Sequence, residues 1–299
     1  MFDVKNTIKK RRSVRTYDKR KVALSTREEI IKYADGLQNP LGPKVTFRLL
    51  DKAADPKGDK LGTYGIIKSA ELYVGAKIHD EEYAPEALGY DFEQLVLYLT
   101  DMGLGTCWLG GTFNKGDFAA AMEVKDDEIF TIVSPIGYTA DKMSLMETLM
   151  RKGSGGDKRM AWDQLFFKKG AEAGSQAGAY SGFGAALTEA EVGEYADVLE
   201  AVRWAPSAVN RQPWRVVAEM ADEAADGPAI KAFHFYQAGI KADDAGSVQM
   251  HRIDMGIAIC HFHLAALEKG LGGKFERIEP AGVDAPENTE YIITWRCEQ

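Results

Sequence analysis

Three stretches of the chain bring together groups able to do chemistry. The first is Arg11-Arg12-Ser13-Val14-Arg15, three guanidinium groups and a hydroxyl within five residues. Guanidinium is planar, permanently charged and able to donate two hydrogen bonds at once, which suits a phosphate dianion. Taken alone the run has three readings: a solvated helix face, a targeting peptide or an anion site. A targeting peptide should avoid acids and be rich in serine, which fits residues 1–21 poorly. The second stretch runs from Gly103 to Gly111, GLGTCWLGG, where glycine lets a backbone approach a flat ligand closely. Its plainer reading is a helix stop with Trp108 as core filler. The third is Ala205 to Trp214, APSAVNRQPW. Pro206 and Pro213 stiffen it and keep it out of a helix, while Ser207 and Asn210 offer short polar side chains to a polar ring edge. A rigid helix-to-strand loop, with Trp214 starting the core, is the alternative. Two weaker signals are the basic pair Lys158-Arg159 and the turn Gly62-Thr63-Tyr64-Gly65.

Other chemistries lack their residues. His261 and His263, two apart on a helix, point to different faces and would not chelate one metal. Ser207 has no nucleophile-elbow context, and neither a dinucleotide glycine fingerprint nor a P-loop is present. Cys107, Cys260 and Cys297 form neither a disulfide framework nor a CxxC site, so a reducing cytoplasm is the default; Cys107 reads as packing. Asp126-Asp127-Glu128 reads as a solvated turn. The net charge of −8 hides an asymmetry: residues 1–21 carry nine Lys or Arg against Asp3 and Asp18, so the remainder is near −15. An acidic body argues against nucleic acid as a partner. No apolar run is long enough to span a membrane and no signal-peptide core opens the chain.

The elements that must position these stretches occur twice in the same order. Residues 27–35 read as a helix, then Val45–Leu50 and Glu71–Ile78 as strands. Phe92, Leu95, Val96 and Leu99 fall at helical spacing up to a stop at Gly103, and Ile129–Ile136 follows as a strand. Later, Tyr195–Arg203 reads as a helix, and Arg215–Glu219 and Phe233–Tyr236 as strands. Ile253, Ile257, Cys260, Leu264 and Leu267 mark a helix stopping at Gly270, and Tyr291–Trp295 closes as a strand. The two Gly-Leu-Gly stops lie 167 residues apart and the first strands about 170, a steady offset that suggests tandem duplication. The predicted organisation is a first half over 1–168, a Gly/Ala-rich connection over 169–184 and a second half over 185–299.

APSAVNRQPW, GLGTCWLGG and RRSVR together resemble the FMN-dependent nitroreductase family, in particular its branch of fused tandem halves. The resemblance covers most of the chain. It implies an α+β fold with three layers, α/β/α, in which two tandem half-domains form an intrachain pseudo-dimer. It further implies FMN as cofactor. Arg11, Arg12 and Ser13 would then hold the phosphate end, with Arg15 near the N1–C2 carbonyl edge. An amide of Leu109 or Gly110 would face N5, with Gly110 preferred, between Trp108 and Gly111. Lys158 and Arg159 would return to the phosphate, and Tyr64 and Gly65 would meet the pyrimidine edge. Pro206, Ser207, Ala208 and Asn210 would come from the other half. NAD(P)H is the implied donor and a nitro-, quinone- or enone-type small molecule the implied acceptor, in a ping-pong cycle needing no side-chain nucleophile.

The family normally carries its Arg-x-Ser-x-Arg run and its PSxxNxQPW-like segment within a few dozen residues of each other; here nearly 200 separate them. The departures from the pattern are complementary. The first half's counterpart loop, Asp35–Pro43 (DGLQNPLGP), has lost PSxxN. The second half's Tyr180–Thr188 has no basic residue, and its glycine stop, Gly270–Phe275, lacks the Trp-Leu-Gly-Gly end. The expectation is one FMN per chain at the interface of the halves, in a monomer. The dismantled second site leaves open a flavin-binding carrier or sensor without NAD(P)H turnover.

Overall fold

The computed structural model describes residues 2–53, 61–156, 158–170, 181–221, 230–240 and 245–298. The chain divides into two compact units, Met1–Asp157 and Lys158–Gln299. Residues 158–168 therefore lie with the second unit. Most of the Gly/Ala-rich connection, residues 171–180, falls outside the described residues.

The first unit contains α1 (Val4–Lys10), α2 (Leu24–Asp35), β1 (Thr46–Asp51), β2 (Leu72–His79) and α3 (Ala84–Asp101), then β3 (Gly105–Thr106), α4 (Lys115–Met122), β4 (Glu128–Gly137) and α5 (Leu145–Ser154). Its sheet has the order β1-β2-β4-β3 and is antiparallel throughout. Strand alternation sorts side chains onto two faces. Phe47 points to α3, where it meets Phe92 at a centroid distance of 6.0 Å. Leu50 and Tyr73 point the other way, and Tyr73 packs edge-on to Phe118 of α4 at 5.3 Å. A side chain at Gly75 would collide with Met122, so the bare backbone there lets α4 lie flat on β2. Helices thus cover both faces, giving three layers. The α3 residues Phe92, Leu95, Val96 and Leu99 are all fully buried, each a gain of roughly 2 kcal/mol over exposure.

The second unit contains β5 (Phe166–Lys168), β6 (Ala185–Ala186), α6 (Glu189–Val192), α7 (Ala196–Arg203), β7 (Trp214–Met220), β8 (Ile230–Ala238), α8 (Ala245–Glu268), β9 (Gly273–Glu276) and β10 (Thr289–Cys297). Its sheet order is β6-β5-β7-β8-β10-β9, with β5 parallel to β7 and the other pairs antiparallel. Within it, β7-β8-β10-β9 repeats the first unit's β1-β2-β4-β3, and in both a long helix follows the second strand. Phe262 of α8 meets Phe233, Phe235 and Trp295 on one face. On the other, Phe167, Val217 and Tyr236 pack with Phe183 of a single 3-10 turn and with Val283 and Tyr291.

Every strand and long helix read from periodicity is present, with ends shifted by a few residues. The acidic triplet needs correction at its third member. Glu128 opens β4, is 7% exposed and accepts from Lys77 Nζ at 2.9 Å, so it belongs to the sheet and not to a solvated turn.

Candidate functional site

In the first unit the basic arm and the glycine stretch are bonded to one another. Helix α1 ends at Arg11, whose extended backbone turns the chain out of the helix. The next residues run along the sheet edge beside β3. Ser13 bridges Thr106 in parallel, and the Val14 N–H donates to the Thr106 carbonyl at 2.8 Å. The Lys68 N–H donates to the Arg15 carbonyl at 2.8 Å, and Asp18 N–H to the Tyr138 carbonyl at 2.9 Å. Gly105 makes this approach possible, since a Cβ there would lie 3.0 Å from Val14 and from Thr139 Oγ1. The arm is also pinned from α5: Thr16 Oγ1 donates to Glu147 Oε2 at 2.7 Å and accepts from the Ser144 N–H.

The arm's cations differ in surroundings. Arg11 has a side chain only 8% exposed, 3.9 Å from the carboxylate of fully buried Glu93. The Nε atoms of Arg11 and Arg15 are both buried without a hydrogen-bond partner among the described residues. Arg12 is exposed. A buried donor without an acceptor costs about 1–3 kcal/mol, and an anion between these guanidinium groups would remove that cost.

Farther along the glycine stretch, the Trp108 Nε1–H donates to Glu93 Oε2 at 2.8 Å. Burial pushes the Cys107 thiol up, in keeping with packing and not with reactivity. The Leu109 N–H donates to the Val133 carbonyl at 3.0 Å and so is already used. The Gly110 N–H has no such partner among the described residues. Gly111 faces open space. Tyr64 and Gly65 form a turn with φ of 49° and 74°, and the Tyr64 side chain is 72% exposed. The same turn is tied to the start of α4 by the Asn114 N–H, which donates to the Gly62 carbonyl at 2.9 Å.

In the second unit, the loop after α7 is held in an unusual conformation. Val209, Asn210 and Gln212 all have positive φ, at 44°, 57° and 51°. Outliers at this density persist only where surrounding bonds over-determine them. Here the Ala208 N–H donates to Asp254 Oδ1 of α8 at 3.0 Å, and Gln212 N–H to Ser207 Oγ at 2.8 Å. Lys158 and Arg159 sit on this loop. Asn210 Nδ2 donates to the Lys158 carbonyl at 3.0 Å, Arg159 donates to the Trp204 carbonyl, and its guanidinium lies 5.0 Å over the Trp204 ring. Burial holds the Asp254 carboxyl well above the usual range. Pro206 to Ala208 are half-buried and Val209 crests the loop, 73% exposed.

The motifs do not include Glu93 or Asp254, which bond to the glycine stretch and to the Ala205–Trp214 loop. Both lie within apolar helical runs, and a carboxylate inside such a run is the signal that marks them. His261 and His263 are in separate settings: His261 Nδ1 meets the Ala201 carbonyl, while the His263 ring packs on Phe275 and Trp295. No cluster able to hold a metal occurs among the described residues, nor any helix long and apolar enough to cross a membrane.

Residues 3–266 match the family model described as "Putative TM nitroreductase". The chain belongs to that family. Membership makes it one of a family of oxidoreductases of the nitroreductase type. Among solved structures it is similar to a "putative nitroreductase" of Thermotoga maritima, at 18% identity and a TM-score of 0.57, over 99% of this chain and 94% of that one. That likeness shows the fold, α+β and nitroreductase-like, along the whole length. A Bacteroides fragilis nitroreductase with bound FMN matches 48% of this chain and 92% of its own, at 20% identity and a TM-score of 0.39. A "Putative NADH Oxidase" of Clostridium acetobutylicum matches 46% and 89%, at 21% and 0.37. At these scores the half-length likenesses carry no weight. No curated protein matches the chain significantly.

Proposed function

We propose that the chain is an FMN-dependent oxidoreductase holding one flavin, moving electrons from NAD(P)H to a nitro-, quinone- or enone-type acceptor by a ping-pong mechanism. The observation that carries this reading is the bonded pair of motifs in the first unit, arm against glycine stretch, with buried guanidinium donors left over and a spare amide at Gly110. These residues fit the group. Arg12, Arg15 and Ser13 would bind its phosphate and ring-edge oxygens, with Arg11 beside them, and the Gly110 N–H would hold the ring's redox-active edge. On the family resemblance, the strained Pro206–Asn210 loop of the second unit would also bind flavin. FMN, when bound, supplies the two-electron chemistry; the protein orients it and excludes water.

One flavin, not two, is supported by the second unit's own residues. Its counterpart of β3 is β9, where a side chain at Gly273 would collide with the Trp295 ring and one at Gly272 with Glu298. These neighbours belong to β10 and its end, the partner of β9 inside the sheet; what β9 lacks among the described residues is a basic arm along its outer edge of the kind that Ser13 and Val14 lay beside β3. The flavin content of the purified chain tests the number: one FMN per chain is expected, and two per chain overturn it. Stopped-flow mixing with NADH and with NADPH tests the donor. Rapid photoreduction without any nicotinamide response would replace the enzyme reading with a flavin carrier or sensor.

A further inference from the structure

Glu93 joins the two motifs of the first unit, and neither motif contains it. It sits in the middle of α3, fully buried, where an unpaired carboxylate would cost several kcal/mol. Its two oxygens serve different motifs. Oε2 accepts the Trp108 indole N–H at 2.8 Å, and Oε1 faces Arg11 Nε at 3.9 Å. The Trp108 ring also rests on Phe92, the residue before Glu93, with centroids 4.7 Å apart. One turn of α3 therefore sets both the indole two residues before Gly110 and the guanidinium next to Arg12.

Stability alone does not account for this arrangement, because a well-packed apolar residue at such a position is usually as stable as a buried ion pair or more so. What a carboxylate adds is direction: one short bond to a donor whose ring orientation it fixes, and one charge that holds a cation in place. Resting on the flavin reading above, we infer that Glu93 is a positioning residue of the cofactor site, registering the glycine stretch and the basic arm against each other. Its charge also neutralises Arg11. Among the described residues the arm's uncompensated cations are then Arg12, for the phosphate end, and Arg15, for the ring edge, and the work of Arg11 is to anchor the arm.

The test uses the full-length chain in four forms: E93Q, E93A, W108F and the double variant E93A/W108F. FMN affinity is read by quenching of flavin fluorescence. The Trp108 indole N–H resonance, assigned by its loss in W108F, is read in a 1H–15N spectrum. E93A is expected to move that resonance and weaken FMN at least about tenfold, the scale on which small misplacements of a positioned group act. E93Q, which keeps an acceptor for the indole but not the charge that faces Arg11, is expected to leave the resonance near its place and to weaken FMN by less than E93A does. The double variant should bind no more weakly than E93A, because both changes break one tie. FMN affinity in folded E93A equal to wild type overturns the role, as does an additive double variant. Should E93A fail to fold, W108F and E93Q carry the comparison, and wild-type affinity in W108F overturns it. A wild-type chain that takes up no FMN overturns the flavin reading and this role with it, whereas uptake indifferent to Glu93 overturns the role alone.

Discussion

Val209→Gly makes the strain in the second unit's loop measurable. Val209 adopts φ 44° and ψ 30°, left-handed backbone that a β-branched residue rarely occupies. Such a conformation costs on the order of 1–3 kcal/mol, which glycine would release. Two terms oppose the gain. Glycine loses more chain entropy on folding, about 0.4–1 kcal/mol. The valine side chain is 73% exposed, so the burial forfeited is a quarter of a full one, roughly 0.4 kcal/mol. At the middle of these ranges the balance is a net stabilisation of about 1 kcal/mol, or a rise in melting temperature of about 2–4 °C for a chain of this size. At an ordinary loop position the same change would destabilise. V209A serves as the control, since it removes the β-branch but keeps a Cβ, and should fall between wild type and V209G. Thermal or urea unfolding gives the order of the three. FMN affinity supplies the second reading: a loop freed to wander must be ordered again on binding, and a loss of about threefold to tenfold is expected. V209G less stable than wild type by more than about 1 kcal/mol would refute the strain argument. Unchanged flavin affinity would refute the claim that the strained shape is held for binding.

Three further outcomes follow from the same structure. Burial raises the Asp254 carboxyl above its ordinary 3.8, so the folded chain holds that proton more tightly than the unfolded one; the stability involved is present at low pH and lost as pH rises through the folded value. Asp254→Asn keeps an acceptor for the Ala208 N–H without the charge, and urea midpoints should show it more stable than wild type at pH 8 but not at pH 4. Burial lowers both His234 and His263 from 6.5 to about 4, so their contribution is complete above pH 6.5 and is lost as pH falls towards 4. For His234, almost fully buried, the loss amounts to about 3 kcal/mol at most, and His263→Phe should flatten the fall of the urea midpoint over that window. Gly105→Ala puts a methyl 3.0 Å from Val14 and Thr139, and should destabilise the first unit by about 1–3 kcal/mol while displacing the arm; wild-type stability and FMN affinity in this variant would show that the arm does not need that close approach.

What could be read in the sequence was what is written in short-range pattern. The helices α3 and α8 are long and carry apolar residues at helical spacing, so Phe92–Leu99 and Ile253–Leu264 announce themselves. The site's polar backbone geometry is a different matter. Gly105–Thr106 is only two residues of strand, and its role depends on Ser13, some ninety residues earlier, lying alongside. The strand β5 is three residues long and earns its place through parallel pairing with β7, which no local periodicity encodes. Lys158 and Arg159 illustrate the same limit. The family resemblance implies that they return to a phosphate; the structure adds what no local pattern encodes, the Lys158 carbonyl accepting from Asn210 and the Arg159 guanidinium lying over the Trp204 ring. Composition names what a side chain can do, and tertiary packing decides what it meets.

The two units share one strand order but differ at their loops, and strain shows where. In both, a buried aspartate of the long helix grips the loop between the preceding helix and the first strand: Asp91 accepts from Asn39 Nδ2 at 2.8 Å, and Asp254 from the Ala208 N–H. Burial pushes Asp91 up to about 6 and Asp254 up as well, so the device carries a desolvation cost in each. The first unit's loop is nonetheless relaxed. Asn39 caps Leu41 and Gly42 through its side-chain oxygen, and the one positive φ in Asp35–Pro43 falls on Gly42, which accepts it freely. The second unit's loop puts positive φ on Val209, Asn210 and Gln212, none of them glycine. Strain of that kind lowers stability and is readily lost by substitution when nothing requires it. The first loop makes its turn at a glycine, whereas the second holds three non-glycine residues in left-handed backbone, a cost that the V209G comparison of stability with FMN affinity weighs against a ligand's need for that shape.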